Sequence, residues 1–192
     1  MQPIALHTCC GPCAASVVPQ LRQSGMEPVA HYSNPNIHPA MEWLRRLEAL
    51  ESYAASSDIA LAVEPEYGLS RFLDVTRGLS GRDRCERCFL LRLTSTAKWA
   101  AEGGMRHLTT TLLTSPYQDR ELIVAVGERV AGRHGLAFVP ADFREGFRAG
   151  QDAARELGLY RQPYCGCVFS EAERYQKKLA REYAKRSESP PP

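Results

Sequence analysis

Seven cysteines stand at positions 9, 10, 13, 85, 88, 165 and 167. They form three tight groups separated by long cysteine-free stretches. A disulfide framework in a small secreted domain spreads its cysteines more evenly and comes with a signal peptide. The opening residues, Met1 to His7, have neither a basic start nor a long apolar stretch and do not read as a secretory signal. The expected address is the cytoplasm, and in such a reducing compartment clustered thiols point to metal or redox chemistry. Buried structural cysteine is the plainer reading, but it fits single residues better than three groups.

In the first group, Cys10-Gly11-Pro12-Cys13 is the thioredoxin active-site motif. Placed between a strand and a helix, it would have its thiolate stabilised by unpaired N–H groups and the helix dipole. Two features argue against a dithiol exchanger. No strand–helix unit precedes the motif, and a thioredoxin has no use for Cys9. The same N–H groups would support an anionic iron–sulfur cluster. The second group, Cys85-Glu86-Arg87-Cys88, has a C-x-x-C spacing that lets two thiolates grip one metal or one cluster. Two ligands from each group make four, which suits tetrahedral zinc or a 4Fe–4S cluster. Adjacent Cys9 and Cys10 favour the cluster, because a zinc knuckle usually leaves two to four residues between ligands. In the third group, one residue separates Cys165 from Cys167, which is too short for an unstrained disulfide. The pair reads either as a labile redox dithiol or as ligands completing another metal site.

The elements that must position these groups follow from periodicity. Strands are expected at Ile4–Thr8, Val29–Tyr32, Ile59–Val63, His107–Thr111 and Leu136–Val139. Helices are expected from Cys13 to about Gln23, over Ala40–Ser56, near Leu69–Val75, from Cys85 or Cys88 to Ala101, and over Asp119–His134. Asp142–Gly158 is partly helical. A final helix runs to about Lys185, capped by Ser170 with Glu173 as its capping-box partner. Ser33–Pro39, Leu112–Gln118 and Tyr160–Val168 read as loops. Strands alternating with helices imply an α/β fold, a Rossmann-like parallel sheet with helices on both faces. Ligands then sit outside the carboxyl ends of the strands, where the first cysteine group falls.

The chain has 192 residues, which is about one domain by length. Residues 1–186 are expected to form a single catalytic α/β domain and 187–192 a disordered tail. Hydrophobic residues make up 44% and charged residues 24%, which excludes disorder for the body of the chain. No apolar run reaches the ~18 residues of a membrane span. The net charge of +2 would not by itself predict a nucleic-acid partner. Arg77, Arg82, Arg84, Arg87 and Arg92 nonetheless cluster around the second cysteine pair. His7 and His107 lie in strand patterns and read as satisfied core residues. His38, in a Pro/Asn loop, is the better site candidate. No phosphate loop, zinc helix or Ser-His-Asp pattern is visible.

Six segments together resemble the QueH-type epoxyqueuosine reductases. They are Leu6–Cys13, Asn34–Pro39, Glu42–Leu47, Arg84–Leu93, Thr110–Gln118 and Leu157–Cys167, in the family's order. The resemblance covers all but the tail. It implies reduction of the epoxide of epoxyqueuosine, at the wobble position of certain tRNAs, to queuosine, the last step of queuosine synthesis. It further implies a fold related to the adenine-nucleotide hydrolase superfamily. The 4Fe–4S ligands fall on Cys9, Cys10, Cys85 and Cys88, and the redox-active pair on Cys165 and Cys167. Some relatives carry Asp where this chain has Cys13. Since both can bind iron, Cys13 is expected to ligate a second iron beside the cluster. An electron donor of unstated identity is implied as a partner. Expected substrate contacts are Tyr117, Gln118, Arg161, Tyr164 and His38, with Tyr117, Tyr164 and His38 as candidate proton donors. Arg82, Arg84, Arg87 and Arg161 are expected on tRNA phosphates. The competing readings are a thioredoxin-like exchanger, a zinc-stabilised tRNA-binding module, and a tRNA sulfur-transfer enzyme that would bind ATP.

Overall fold

A computed structural model describes residues 1–188. Five strands form one all-parallel sheet: β1 (Gln2–His7), β2 (Met26–Tyr32), β3 (Leu61–Val63), β4 (His107–Thr110) and β5 (Ala137–Phe138). Their spatial order is β3-β2-β1-β4-β5. This is the Rossmann-like arrangement, with the strand order reversing between β1 and β4. The central strand β1 is buried from Ile4 onward, as a strand covered on both faces must be. Its last residue, His7, pairs in register with His31 of β2 and Thr110 of β4.

Seven helices complete the described fold: α1 (Gly11–Gln23), α2 (Ala40–Ser57), α3 (Leu69–Thr76), α4 (Gly81–Glu102), α5 (Arg120–Arg133), α6 (Phe147–Glu156) and α7 (Val168–Glu188). Six of them pack in two groups: α1 against α2 and α6, and α4 against α3 and α5. Ile4, Leu6, Val17, Leu21, Leu50, Leu93, Leu108 and Ile123 fill the core between them and the sheet, each almost fully buried. At Gly150 of α6, a Cβ would stand 2.0 Å from Ser16 Oγ and 2.6 Å from Ser16 Cα, so hydrogen is all that fits where α6 crosses α1.

The expected pattern of elements is present, with four local corrections. Helix α4 starts at Gly81 after Ser80, with Asp83 in its first turn. Cys85 and Cys88 therefore sit one turn inside the helix, on one face at i and i+3. Residues Thr111–Thr114 form a 3-10 turn, with Thr110 Oγ1 accepting from the Leu112 N–H, instead of opening a loop. Helix α7 starts at Val168, two residues before the expected Ser170 cap. Cys167 takes the capping place: its Sγ accepts the Ser170 N–H at 3.3 Å, and its carbonyl accepts the Glu171 N–H. Glu173 pairs with Arg84 and takes no part in a cap. Helix α7 also runs through residues 187 and 188 of the expected tail, and 189–192 lie outside the described residues. No helix among the described residues is long and apolar enough to cross a membrane.

Because the α1–α6 contact has no room for a methyl group, Gly150→Ala should cost about 1–3 kcal/mol. A urea unfolding curve checks this, as a lower midpoint at an unchanged slope.

Candidate metal and thiol centre

The first and third cysteine groups lie at ends of regular elements, and the second lies inside the N-terminal part of α4. Cys9 and Cys10 follow β1, and Cys10 is the last residue before α1, whose first residues are Gly11 and Pro12. The Cys9 N–H donates to Thr111 Oγ1 at 3.1 Å, which ties the turn after β1 to the turn after β4. The crevice between these two strands is the switch point of the sheet. The sulfurs of Cys9, Cys10 and Cys13 lie within 4.8 Å of one another, close enough to hold a metal ion. Cys9 Sγ is 3.7 Å from Cys10 Sγ. Thr111 Oγ1 donates to Cys9 Sγ at 3.4 Å, and Gln162 Nε2 to Cys10 Sγ at 2.9 Å.

The second and third groups meet each other. Cys88 and Cys167 pack with Phe72, and Leu91 and Phe169 border them. Cys165 is exposed and Cys167 buried, with their sulfurs 3.8 Å apart. All seven cysteines are free thiols.

Within each close group, the protons settle unevenly. Hydrogen bonds from Cys10 and Cys13 hold Cys9 well below the ordinary thiol value of 9.0. Burial pushes Cys10 up to about 12, and hydrogen bonding to its two neighbours raises Cys13. The bond from Cys167 brings Cys165 down to about 5 and raises Cys167 in turn. Burial lifts Cys88 to about 11 and raises Cys85. Cys9 and Cys165 are thus the ready thiolates.

Arg92 tests whether this donor set suits an anionic metal group. It lies on α4 one turn after Cys88 and is 2% exposed. No carboxylate pairs with it among the described residues. Its Nη2 donates to Asn34 Oδ1 at 2.7 Å, and its Nε has no partner. A buried cation needs a counter-charge. Arg92 favours the thiolate forms of Cys9, Cys88 and Cys165, which come from three separate chain segments. Thiolates, or thiolates bearing a metal group, fit that place.

The remaining expected residues are distributed unevenly. His38 has Nδ1 against Tyr67 Oη at 3.1 Å and a buried, unpartnered Nε2. Tyr164 Oη donates to the His38 carbonyl at 2.8 Å. Arg161 is exposed, with Nε on Gln151. Tyr117 is 88% exposed and Gln118 half-buried, both beyond the 3-10 turn. Arg84 is buried, paired with Glu173 and stacked over Phe169 at 4.6 Å, so it is not free to grip phosphate. Arg82 is exposed and paired with Asp119. Arg87 lines a separate cavity of about 1020 Å³ between α3, α4 and the β3 edge, which includes the stacked His31 and Trp99. His7, expected as a satisfied core residue, bonds Thr110 Oγ1 through Nδ1, but its Nε2 is orphaned.

The sequence reading placed Arg92 only in a basic cluster and gave no site role to Asn34, Thr111, Gln162 or Arg46. The Glu42–Arg46 spacing of i,i+4 and the Cys88–Arg92 spacing of one turn were the available signals. Nothing local marks Gln162.

A Rossmann-like α/β domain carrying a cysteine-built centre at the carboxyl edge of its sheet is the class that fold and site define. The chain belongs to the epoxyqueuosine reductase QueH family, whose profile, described as "Epoxyqueuosine reductase QueH", matches residues 4–173. A relative of that name from Dehalococcoides mccartyi is 37% identical over 175 residues, covering 91% of this chain and 95% of the relative. One from Thermotoga maritima is 31% identical over 189 residues, covering 92% and 94%. One from Helicobacter pylori is 40% identical over 178 residues, covering 86% of this chain but 48% of the longer relative.

Burial holds the imidazoles of His31 and His38 below their ordinary 6.5, His38 at about 4. Below pH 6.5 the unfolded chain therefore binds more protons than the folded one. Their contribution is complete above about 6.5 and is lost as pH falls toward 4. An NMR titration of the metal-free chain should give a His38 midpoint near 4, with the urea midpoint falling over the same interval.

Proposed function

We propose that this chain reduces epoxyqueuosine in tRNA to queuosine in the cytoplasm, as the last step of that synthesis. The epoxide takes up two electrons and two protons, the C–O bonds open to an alkene, and water leaves. The observation that carries the reading is the Cys9, Cys10 and Cys13 sulfurs lying within 4.8 Å of one another in a chain of this family.

Cys9, Cys10, Cys85 and Cys88 would hold a 4Fe–4S cluster, and Cys13 a second iron. These groups supply single electrons and a Lewis-acidic iron to polarise the epoxide oxygen. The chain's own residues do the rest. Thr111 and Gln162 fix the Cys9 and Cys10 sulfurs by donated hydrogen bonds, which sets their orientation. Arg92 offsets the negative charge of the sulfurs. Cys165, exposed and readily ionised, meets an external electron donor, and Cys167 behind it faces Cys88. Of the three candidate proton donors, His38 alone offers a buried ring nitrogen free of protein partners. Tyr164 has its hydroxyl committed to a carbonyl, and Tyr117 stands in solvent. Arg161 and Arg82 meet tRNA phosphate.

The test is anaerobic purification, with iron, zinc and sulfide counts, followed by turnover of epoxyqueuosine-tRNA with a chemical reductant. A brown protein with about four or five irons that forms queuosine is the expected result. A colourless protein holding one zinc and turning nothing over would sink the reading in favour of a zinc-stabilised tRNA-binding module. Cys88→Ala should lower both iron content and turnover, the latter by about 100-fold or more. Arg161→Ala should weaken binding to every substrate tRNA and make the salt dependence shallower by roughly 0.7–0.9 in slope. Binding measured across a salt series checks that assignment.

A further inference from the structure

Three successive carbonyls of the Cys165–Cys167 loop are each held from the α2 side of the protein. Arg46 Nη2 donates to Tyr164 O at 3.0 Å, and Arg46 Nη1 to Cys165 O at 3.1 Å. The His38 N–H donates to Gly166 O at 2.8 Å. Arg46 is 1% exposed. Its Nε donates to Glu42 Oε1 at 2.7 Å, and Tyr160 Oη donates to Glu42 Oε2 at 2.5 Å. The guanidinium also stacks over the Tyr164 ring at 5.4 Å. At Gly166, φ is +116°, and a Cβ would stand 2.9 Å from Ile37 and 3.0 Å from Arg46 Nη1. The loop backbone is therefore fixed on one side by a fork that is itself fixed by a buried carboxylate and a phenol.

We propose that Arg46, backed by Glu42 and Tyr160, is a positioning residue that holds the Cys165/Cys167 pair in its dithiol geometry and sets how readily it is oxidised. The proposal rests on the reading of this pair as redox-active. A disulfide needs its sulfurs about 2.05 Å apart, against 3.8 Å here. Closing that gap across a single intervening residue requires the loop backbone to turn, and each turn displaces a carbonyl from Arg46 or from the His38 N–H. The clamp opposes closure and favours the reduced pair. A guanidinium suits the task because one rigid fork reaches two adjacent carbonyls and a carboxylate together, which an ammonium cannot do.

The experiment equilibrates the iron-loaded chain with reduced and oxidised glutathione without oxygen. The two thiols and one glutathione disulfide give the Cys165–Cys167 disulfide and two glutathione thiols, so bonds, protons and electrons balance. The tryptic peptide 162–174 carries these two cysteines and no others, so mass spectrometry after alkylation reads the pair alone. Arg46→Met should raise the equilibrium constant for disulfide formation about tenfold, or about 30 mV for this two-electron couple. Arg46→Lys should recover only part of that shift. Tyr160→Phe changes no charge and alters no helix, since Tyr160 lies between α6 and α7. It should move the constant the same way by about threefold, and it serves if removal of Arg46 prevents folding.

Unchanged constants in the folded variants would overturn the proposal. So would an Arg46→Lys chain indistinguishable from the parent, because charge without the fork would then suffice. If the parent chain forms no Cys165–Cys167 disulfide at any glutathione ratio, the redox-pair reading itself fails. The clamp is then judged on the variants: a disulfide that appears only when Arg46 or Tyr160 is replaced upholds it, and none in any chain overturns it.

Discussion

A buried positive charge with no paired carboxylate among the described residues, Arg92, links the turns after β1 and β2 to α4. Arg92 reaches from α4 to Asn34 Oδ1, and Asn34 Nδ2 passes on to the Thr8 carbonyl at 2.9 Å. Thr8 adjoins Cys9, and Arg92 lies one turn from Cys88. Two bonds thus connect the turn after the central strand with the helix carrying the second cysteine pair. Desolvating a guanidinium costs several kcal/mol unless an anion or a full set of acceptors answers it. Here the hydrogen-bonded partner of Arg92 is the Asn34 amide oxygen, and its charge favours the thiolate forms of Cys9, Cys88 and Cys165.

Arg46 occupies a comparable place on the other side of the centre but is solved differently. Its charge is met by Glu42, and its remaining donors go to backbone carbonyls. One buried arginine leaves its charge available to the sulfurs, while the other uses it to fix a loop. Both lie on helices whose outer faces are ordinary and solvated.

Much of the architecture could be read in the residues. Leu47, Leu50 and Tyr53 on α2 and Ile4 to Leu6 on β1 announce their elements by period and apolar run. The three cysteine groups mark the centre because their spacing is local. The interior arginines are less legible, since Arg46 meets Cys165 across 119 positions and Gln162 meets Cys10 across 152. Sequence periodicity carries no information about such pairs. The start of α7 failed for a related reason. Ser170 and Glu173 spell a capping box, but the Cys167 sulfur accepts the Ser170 N–H that the Glu173 carboxylate was expected to bind, and Arg84 draws Glu173 away. Tertiary partners overrode a local rule at a helix that begins inside the centre.

That the thiols come from three distant stretches governs how the centre is made. Synthesis delivers residues 9 to 13 first, and the segment that meets Cys88 from the far side only some 150 residues later. Until the sheet has formed and the 165–167 loop has closed over it, the early cysteines have neither Gln162 nor the completed set of neighbours around them. A nascent or truncated chain can present loose thiols but not a finished binding place. Any group that needs thiols from more than one stretch can be held only where those stretches have met, which couples its binding to completion of the fold.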